Sequence, residues 1–491
     1  MKSLARTRPG VRRPRYDVAL LRPGIVHFGC GAFHRAHQAV YTQRAIEAEG
    51  GAVPAPWGII GANLIRPRAR DVLEPQDGLF TVLERGPGGA RAEIVGSLRR
   101  VVFAKYNSAP LVSWLADPQI SIVSVTVTPG GYQVDPAIES SGANRAELPN
   151  DQLPGHARQS SPPSFLGILV EGLRRVRLAG RRPPVLMSCD NMPGNGRLLR
   201  DAVVQQAALS DEKLASWIAR SVQFPSCMVD RIVPEPLDSD LREAATLLGV
   251  HDAAPISAEP FRQWVIEDFE GPRPVWDAAG AAFVADVTPW EASKLRLLNG
   301  THLAIACLGA LAGLQTVSQF VQDPVLASYA SRFMLKEQMP TLPPSSHDIP
   351  AYAAQLLQRW RNPGIAHRLS RVGRNGSEKL KTRLLASIAD NLAAGRPAPC
   401  TMLAVAAWVC CTAGRAEGTQ ISDPAATRMR RLAAQAGGDV ARLSELVLQM
   451  DDILGTELPR VEAFRTGLRK ALADLLTQGP RAAVTALMAE G

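Results

Sequence analysis

The chain lacks most of what marks a membrane, secreted or nucleic-acid-binding protein. No apolar run among its 491 residues approaches the roughly 20 that span a bilayer. The longest, residues 303–314, is short and rich in alanine, which predicts a buried helix. The basic start (Lys2, Arg6, Arg8, Arg12, Arg13, Arg15) has no apolar stretch behind it. It is expected to be a frayed tail rather than a secretory signal. The seven cysteines are odd in number, with no CxxC spacing. That excludes a disulfide framework and a cysteine-based zinc site, and it fits a reducing cytoplasm. Aromatics make up only 5% of the chain, so the net charge of +9 comes without a stacking platform for bases. The basic residues are scattered, which argues against nucleic acid and suits a positive cleft for an anionic cofactor. The expected protein is cytoplasmic, a monomer or weak homo-oligomer, with a small molecule rather than a nucleic acid or membrane as partner.

A chain this long exceeds one core and predicts two or three domains. In the first part, strands are expected at residues 24–29, 57–62, 120–128 and 184–188, with helices at about 34–49 and 165–177. Strands alternating with helices imply a mostly parallel sheet. Residues 134–163, rich in Pro, Ser, Asn and Gly, predict a long surface excursion. After about Pro289 the strand signals vanish and only helical periodicity remains. The fold expected is an α/β Rossmann-type N-terminal domain, 1–285, followed by an all-α C-terminal domain, 286–491.

The sequence Gly29-Cys30-Gly31-Ala32-Phe33-His34 follows the first strand and opens a helix. Such a turn suits a dinucleotide: the first glycine permits the bend and the second lets the backbone approach the pyrophosphate. A tight structural turn alone can carry the same sequence, and the third glycine of the pattern is replaced by His34. Gly29, Gly31, Ala32, Phe33, His34 and, from the strand ending near 128, Thr126 are the candidate cofactor contacts. The second strand leads into Asn63-Leu64-Ile65-Arg66-Pro67-Arg68, without the carboxylate that holds a ribose 2′-hydroxyl. Asn63 can bond a ribose hydroxyl, whereas Arg66 and Arg68 can meet a 2′-phosphate. NAD and NADP therefore both remain open at this point.

Residues 291–302 carry the candidate chemistry. On a uniform α-helix, Glu291, Lys294, Asn299 and His302 fall within an arc of roughly 140°. A desolvated lysine near a cationic nicotinamide can act as a general base near neutral pH. An asparagine amide donates to a developing alkoxide without titrating. An amphipathic helix broken at Asn299-Gly300 is the plain alternative. A second polar cluster, Cys189 to Gly196 with Asn191, lies past a strand end, where ligands of open α/β sheets bind. A third, Phe224 to Pro234, places Asp230 and Arg231 between apolar residues and prolines, which suggests a structural ion pair. Zinc is the competing chemistry, with His34 and His37 three apart, but no acidic or cysteine partner has helpful spacing.

Together these segments resemble the polyol-specific long-chain dehydrogenases, the family of mannitol 2-dehydrogenase and fructuronate (D-mannonate) reductase. The matching stretches are GIVHFGCGAFHRAHQAVY at 24–41, QDGLFTVLE at 76–84, SCDNMP at 188–193, FPSCMVDRIVP at 224–234, EPFRQWVIED at 259–268 and KLRLLNGTH at 294–302. The resemblance implies a Rossmann-type domain, a helical domain, and NAD(P)-dependent hydride transfer. The reaction would interconvert a 2-keto sugar or keto-uronate with its polyol or aldonate. It implies Lys294 as general acid/base, Asn191 and Asn299 polarising the substrate oxygen, His302 orienting the substrate, and Glu291 as a proton gate. Asp230, Arg371 and Lys379 would line the substrate pocket, and no catalytic metal is expected. NAD is the cofactor the resemblance favours. Two departures stand out. The acidic pair that mannitol dehydrogenases place after the second strand is absent, and Asn63-Leu64-Ile65 looks closer to the fructuronate reductase version. Pro129 also replaces a glutamate before Gly-Gly-Tyr. A non-catalytic dinucleotide sensor is the alternative; Lys294, Asn191 and Asn299 argue against it.

Overall fold

The computed structural model describes residues 7–51, 55–127, 129–134, 164–344, 348–416 and 419–490. Almost all of the expected surface excursion at 134–163, and the first part of the basic tail, lie outside them. The chain separates into two compact units, Met1–Val287 and Thr288–Gly491.

The first unit is built on a five-stranded parallel sheet. Its strands are β1 (Pro23–Phe28), β2 (Gly58–Asn63), β3 (Leu98–Phe103), β4 (Ile122–Val125) and β5 (Val185–Ser188). They lie in the order β3-β2-β1-β4-β5, and every pairing is parallel. That is the order of a dinucleotide-binding doubly wound sheet. Both faces are covered, so β1, β2, β4 and β5 are mostly continuous apolar runs rather than alternating ones. Ile25, Ile59 and Ile122 face one core. Val26, Ile60 and Val123 face the other, under the helices Phe165–Leu178 and Asn195–Ala208.

The sequence reading missed β3 because Arg99 and Arg100 interrupt it. It also missed the antiparallel hairpin Phe80–Gly86 with Gly89–Val95. The smaller sheet that joins Cys227–Asp230 antiparallel to Gln263–Glu267 was missed as well. The helix expected at 34–49 is two: Ala32–Ala36 and Gln38–Ala48. The break falls at His37, where φ is −122° and ψ −91°. There its Nε2 bonds the Gln263 carbonyl at 2.9 Å.

The second unit is helical. Thr301–Leu311 is almost wholly apolar and buried on every side, as is Pro399–Thr412. A helix apolar all round belongs in a core, and no helix among the described residues is long and apolar enough to cross a membrane. The N-terminus of Pro399–Thr412 is capped by a distant carboxylate. Glu337 accepts from the backbone N–H of Cys400 (2.8 Å) and Thr401 (2.7 Å) and from the Thr401 hydroxyl (2.7 Å). Burial raises its pKa, and those hydrogen bonds oppose the rise.

Candidate active site

At the carboxyl edge of the sheet, the glycine turn is held from three sides. Gly29 has φ +91°, a backbone setting that glycine adopts without penalty. A Cβ there would lie 1.9 Å from the Thr126 carbonyl oxygen, so glycine is required twice over. The Thr126 hydroxyl donates to the Gly29 carbonyl at 2.8 Å. The Cys30 N–H donates to Asn63 Oδ1 at 2.8 Å. The side-chain oxygen of Asn63 is therefore committed to the turn, and its amide N–H groups are what it can offer a ligand. At Gly31 the space is open: an added Cβ would meet only the Gly29 oxygen, at 3.7 Å. Gly31 also begins the helix Ala32–Ala36 with no side-chain cap. Exposed backbone N–H groups with room above them fit a dinucleotide phosphate.

Two other candidates point their side chains elsewhere. His34 is buried and stacks on His27, ring centroids 3.5 Å apart, so only its backbone faces the turn. His27 contacts Ser124 Oγ at 2.8 Å and Thr126 Oγ1 at 2.9 Å, and burial pushes its pKa down to about 3. Phe33 is half-buried and stacks on His37, and Arg66 is exposed.

Asn191 lies on the same sheet edge, exposed on the turn after β5. Asn195 locks that turn to the next strand. Its amide donates to the carbonyls of Asp190 (2.9 Å) and Cys227 (2.7 Å), and its oxygen accepts from the Cys227 N–H at 3.0 Å. Gly196 completes the lock, since a Cβ there would meet the Phe224 carbonyl at 2.4 Å. The two motifs quoted at 188–193 and 224–234 are thus one framework. Asp230 is buried at the end of Cys227–Asp230. Arg231 turns onto Glu84, 2.6 Å away, and onto the Glu259 carbonyl.

Beside Asn191 sits a group that the sequence reading did not single out. The Tyr132 hydroxyl donates to Asp190 Oδ2 at 2.6 Å and lies 2.7 Å from Ser188 Oγ. Burial raises the Asp190 carboxyl to about 6, against the opposing hydrogen bonds. Because the folded value exceeds the ordinary one near 3.8, this group favours the fold most below about pH 4. That contribution is lost as pH rises through about 6. Asp190→Asn keeps an acceptor for Tyr132 and removes the buried charge. We expect the variant to be more stable than wild type by roughly 1–2 kcal/mol at pH 8, with the gap closing toward pH 5. Urea unfolding at both pH values checks it; a pH-independent difference contradicts it.

In the second unit, the segment expected to be one uniform helix is three. Glu291 is half-buried on Thr288–Ser293, a π-helical stretch runs from Lys294 to Gly300, and Thr301–Leu311 continues as α-helix. The chain therefore does not break at Asn299-Gly300, and the arc calculated for a uniform α-helix does not apply. Wide π turns occur where function demands a local departure from α geometry. Lys294, Asn299 and His302 are 8%, 7% and 6% exposed, which for a lysine is unusual and calls for a reason. His302 Nε2 has no hydrogen-bond partner among the described residues. Its ring stands edge-on to His367, centroids 4.7 Å apart, and 5.1 Å from Trp360. Burial and the neighbouring His367 and Arg359 hold its pKa well below the usual range. Lys379 is half-buried, and burial, with Arg383 nearby, lowers it to about 8. Arg371 is exposed on Leu369–Val372. No metal-binding group of three or more His, Cys, Asp or Glu occurs among the described residues.

Comparison with known proteins agrees with this architecture. Residues 23–278 match the mannitol dehydrogenase Rossmann domain, and residues 286–476 match the mannitol dehydrogenase C-terminal domain. The chain is 38% identical to the D-mannonate oxidoreductase of Escherichia coli over 486 residues, covering 97% of this chain and 98% of that one. It is 41% identical to a mannitol 2-dehydrogenase of Cereibacter sphaeroides over 403 residues, covering 81% and 82%. Among solved structures, the ternary complex of Pseudomonas fluorescens mannitol 2-dehydrogenase with NAD and D-mannitol superposes with a TM-score of 0.83. The two share 34% identity, and the match covers 100% of this chain and 99% of that one. With both domains matched in order along nearly the whole length, the chain belongs to the mannitol dehydrogenase family of oxidoreductases, secondary-alcohol dehydrogenases with a Rossmann domain and a helical domain.

Proposed function

We propose that the protein is an NAD-dependent dehydrogenase that interconverts a 2-keto sugar or keto-uronate with its polyol or aldonate, using Lys294 as general acid/base. The observation that carries this reading is the buried Lys294, set in a π-helical stretch with Asn299 and followed by His302. A dehydrogenase of this family has a use for such a lysine; a dinucleotide sensor has none. Gly29 and Gly31 with the open, uncapped turn fit the cofactor, and Asn63, Thr126 and the backbone of Ala32 to His34 would hold it. Bound nicotinamide dinucleotide supplies or takes up the hydride.

The chain's own residues do the rest. In the oxidising direction the Lys294 amine takes the hydroxyl proton; in the reducing direction its ammonium returns one to the forming alkoxide. Asn191 and Asn299 donate to that oxygen, where charge develops. His302, kept neutral by burial, offers Nε2 to a substrate hydroxyl. Glu291 relays the proton to solvent. Asp230, Arg371 and Lys379 bind the remaining hydroxyls. Absorbance at 340 nm tests the reading, with NADH and each of D-fructuronate, D-tagaturonate, D-fructose and D-xylulose. NADH is expected to be consumed with at least one of them. Tight NADH binding without consumption on any would favour the sensor instead.

The cofactor choice has its own test. No carboxylate follows β2 to repel a 2′-phosphate, so the wild type should prefer NAD(H) but show measurable turnover with NADP(H). In Asn63→Asp a carboxylate oxygen can still accept from the Cys30 N–H, so the turn survives while charge is added. The preference for NAD should sharpen by roughly 1–3 kcal/mol, read as the change in the kcat/KM ratio. A wild type that already rejects NADP(H) would place the discriminating residue elsewhere.

A further inference from the structure

Arg383 is half-buried on the π-helical stretch Lys381–Leu385. Its guanidinium has five N–H donors, yet among the described residues it makes one hydrogen bond, a long one of 3.4 Å from Nη1 to the carbonyl of Asn299. No carboxylate among the described residues pairs with it, and burial alone lowers its pKa to about 10. An arginine removed from water is ordinarily paired. Its place is fixed by the backbone: a Cβ on Gly300 would lie 2.9 Å from the Arg383 carbonyl, so this stretch packs directly on Lys294–Gly300. Lys379 stands four residues earlier, and burial together with Arg383 lowers its pKa. His302 lies within electrostatic reach of Arg383, and its Nε2 has no partner among the described residues. Beside Asn299 there is thus, among the described residues, a guanidinium with donors that the protein leaves unused.

We infer that Arg383 is a specificity-determining residue that binds the terminal carboxylate of the substrate, and that the protein therefore acts on a keto-uronate and its aldonate rather than on an uncharged ketose and polyol. A planar guanidinium matches a carboxylate with two parallel N–H···O bonds. A polyol would leave the buried cation unpaired. The inference rests on the activity proposed above. The dinucleotide's phosphates are the other source of an anion.

The test compares wild type, Arg383→Gln and Arg383→Lys, each checked for an unchanged melting temperature. The substrate pair is D-fructuronate and D-fructose, which differ only at the terminal carbon. In wild type D-fructuronate should be strongly preferred. In Arg383→Gln the ratio of kcat/KM for D-fructuronate over D-fructose should fall roughly 30-fold or more, chiefly through KM, with partial recovery in Arg383→Lys. Calorimetric titration of D-mannonate into the NADH-loaded protein gives a readout that needs no turnover, because both components are already reduced. Its affinity should fall by a similar factor, while the affinity for NADH alone changes less than about threefold. Equal losses on both sugars would overturn the inference, as would a loss of NADH affinity in step with that for D-mannonate, which would assign the anion to the cofactor. Should wild type turn over none of the sugars but still bind D-mannonate through Arg383, the carboxylate site stands and the proposed reaction falls. If Arg383→Gln fails to fold, Arg383→Lys must still raise KM for D-fructuronate selectively; an unchanged KM there overturns the inference.

Discussion

Lys294→Ala should lower turnover by about 10²- to 10⁴-fold, the usual cost of losing a general acid/base, and should leave NADH affinity within about threefold of wild type. The side chain is buried where the helix widens into its π turn, so removing it takes away an amine in a confined space rather than a surface charge. A small primary amine added to the variant should restore part of the rate, because the vacated volume admits it. Lys294→Met, which keeps the length without the charge, should be as slow but not rescued. These readouts separate chemistry from packing, since a lysine needed only to hold the helix would give a lower melting temperature and no rescue. Retention of more than half the wild-type turnover by Lys294→Ala between pH 7 and 9 would remove Lys294 from the mechanism.

The second large effect is expected at the glycine turn, where two neighbouring glycines should behave differently. Gly29→Ala forces a side chain onto a backbone at φ +91° and to within 1.9 Å of the Thr126 oxygen. The strain is on the order of 3 kcal/mol before the clash is counted. The melting temperature should fall by roughly 5–10 °C, and NADH binding should be lost with the turn. Gly31→Ala has φ −96° and nothing nearer than 3.7 Å, so the protein should melt as wild type does. NADH affinity should nevertheless drop on the order of tenfold, about 1.4 kcal/mol, because the added methyl occupies the space the phosphates would use. Unaltered NADH binding in Gly31→Ala would mean that the cofactor does not approach this backbone. Differential scanning calorimetry and a fluorescence titration with NADH decide both.

How much of this could be seen in the sequence depends on how local each signal is. The strands β1, β2, β4 and β5 announced themselves as apolar runs because a doubly covered parallel sheet needs nothing else. β3 did not, because Arg99 and Arg100 sit in an edge strand whose register is set by β2 rather than by its own pattern. The glycine turn was legible because a bend at the end of a strand demands particular residues. That Asn63 would spend its oxygen on the Cys30 N–H was not, since this bond joins residues 33 apart in sequence. Lys294, Asn299 and His302 were found from a helical spacing, although the helix that carries them is partly π. All three are buried, and all three lie within nine residues of sequence. Tyr132 with Asp190, and Arg383 beside Asn299, come together only through tertiary packing. The one hint for the latter was the spacing of four between Lys379 and Arg383.

The most direct test of the central claim follows the hydride itself. The purified protein is incubated with NADH deuterated at C4, on either face in separate samples, and with D-fructuronate or D-fructose. The product is isolated and its label located by mass spectrometry and NMR. Direct transfer predicts one deuterium per molecule, bonded to the carbon that was the substrate's ketone (C2 of D-mannitol, C5 of D-mannonate), from one face of the cofactor and not the other. A product that is unlabelled from both faces, or labelled at another carbon, would contradict it.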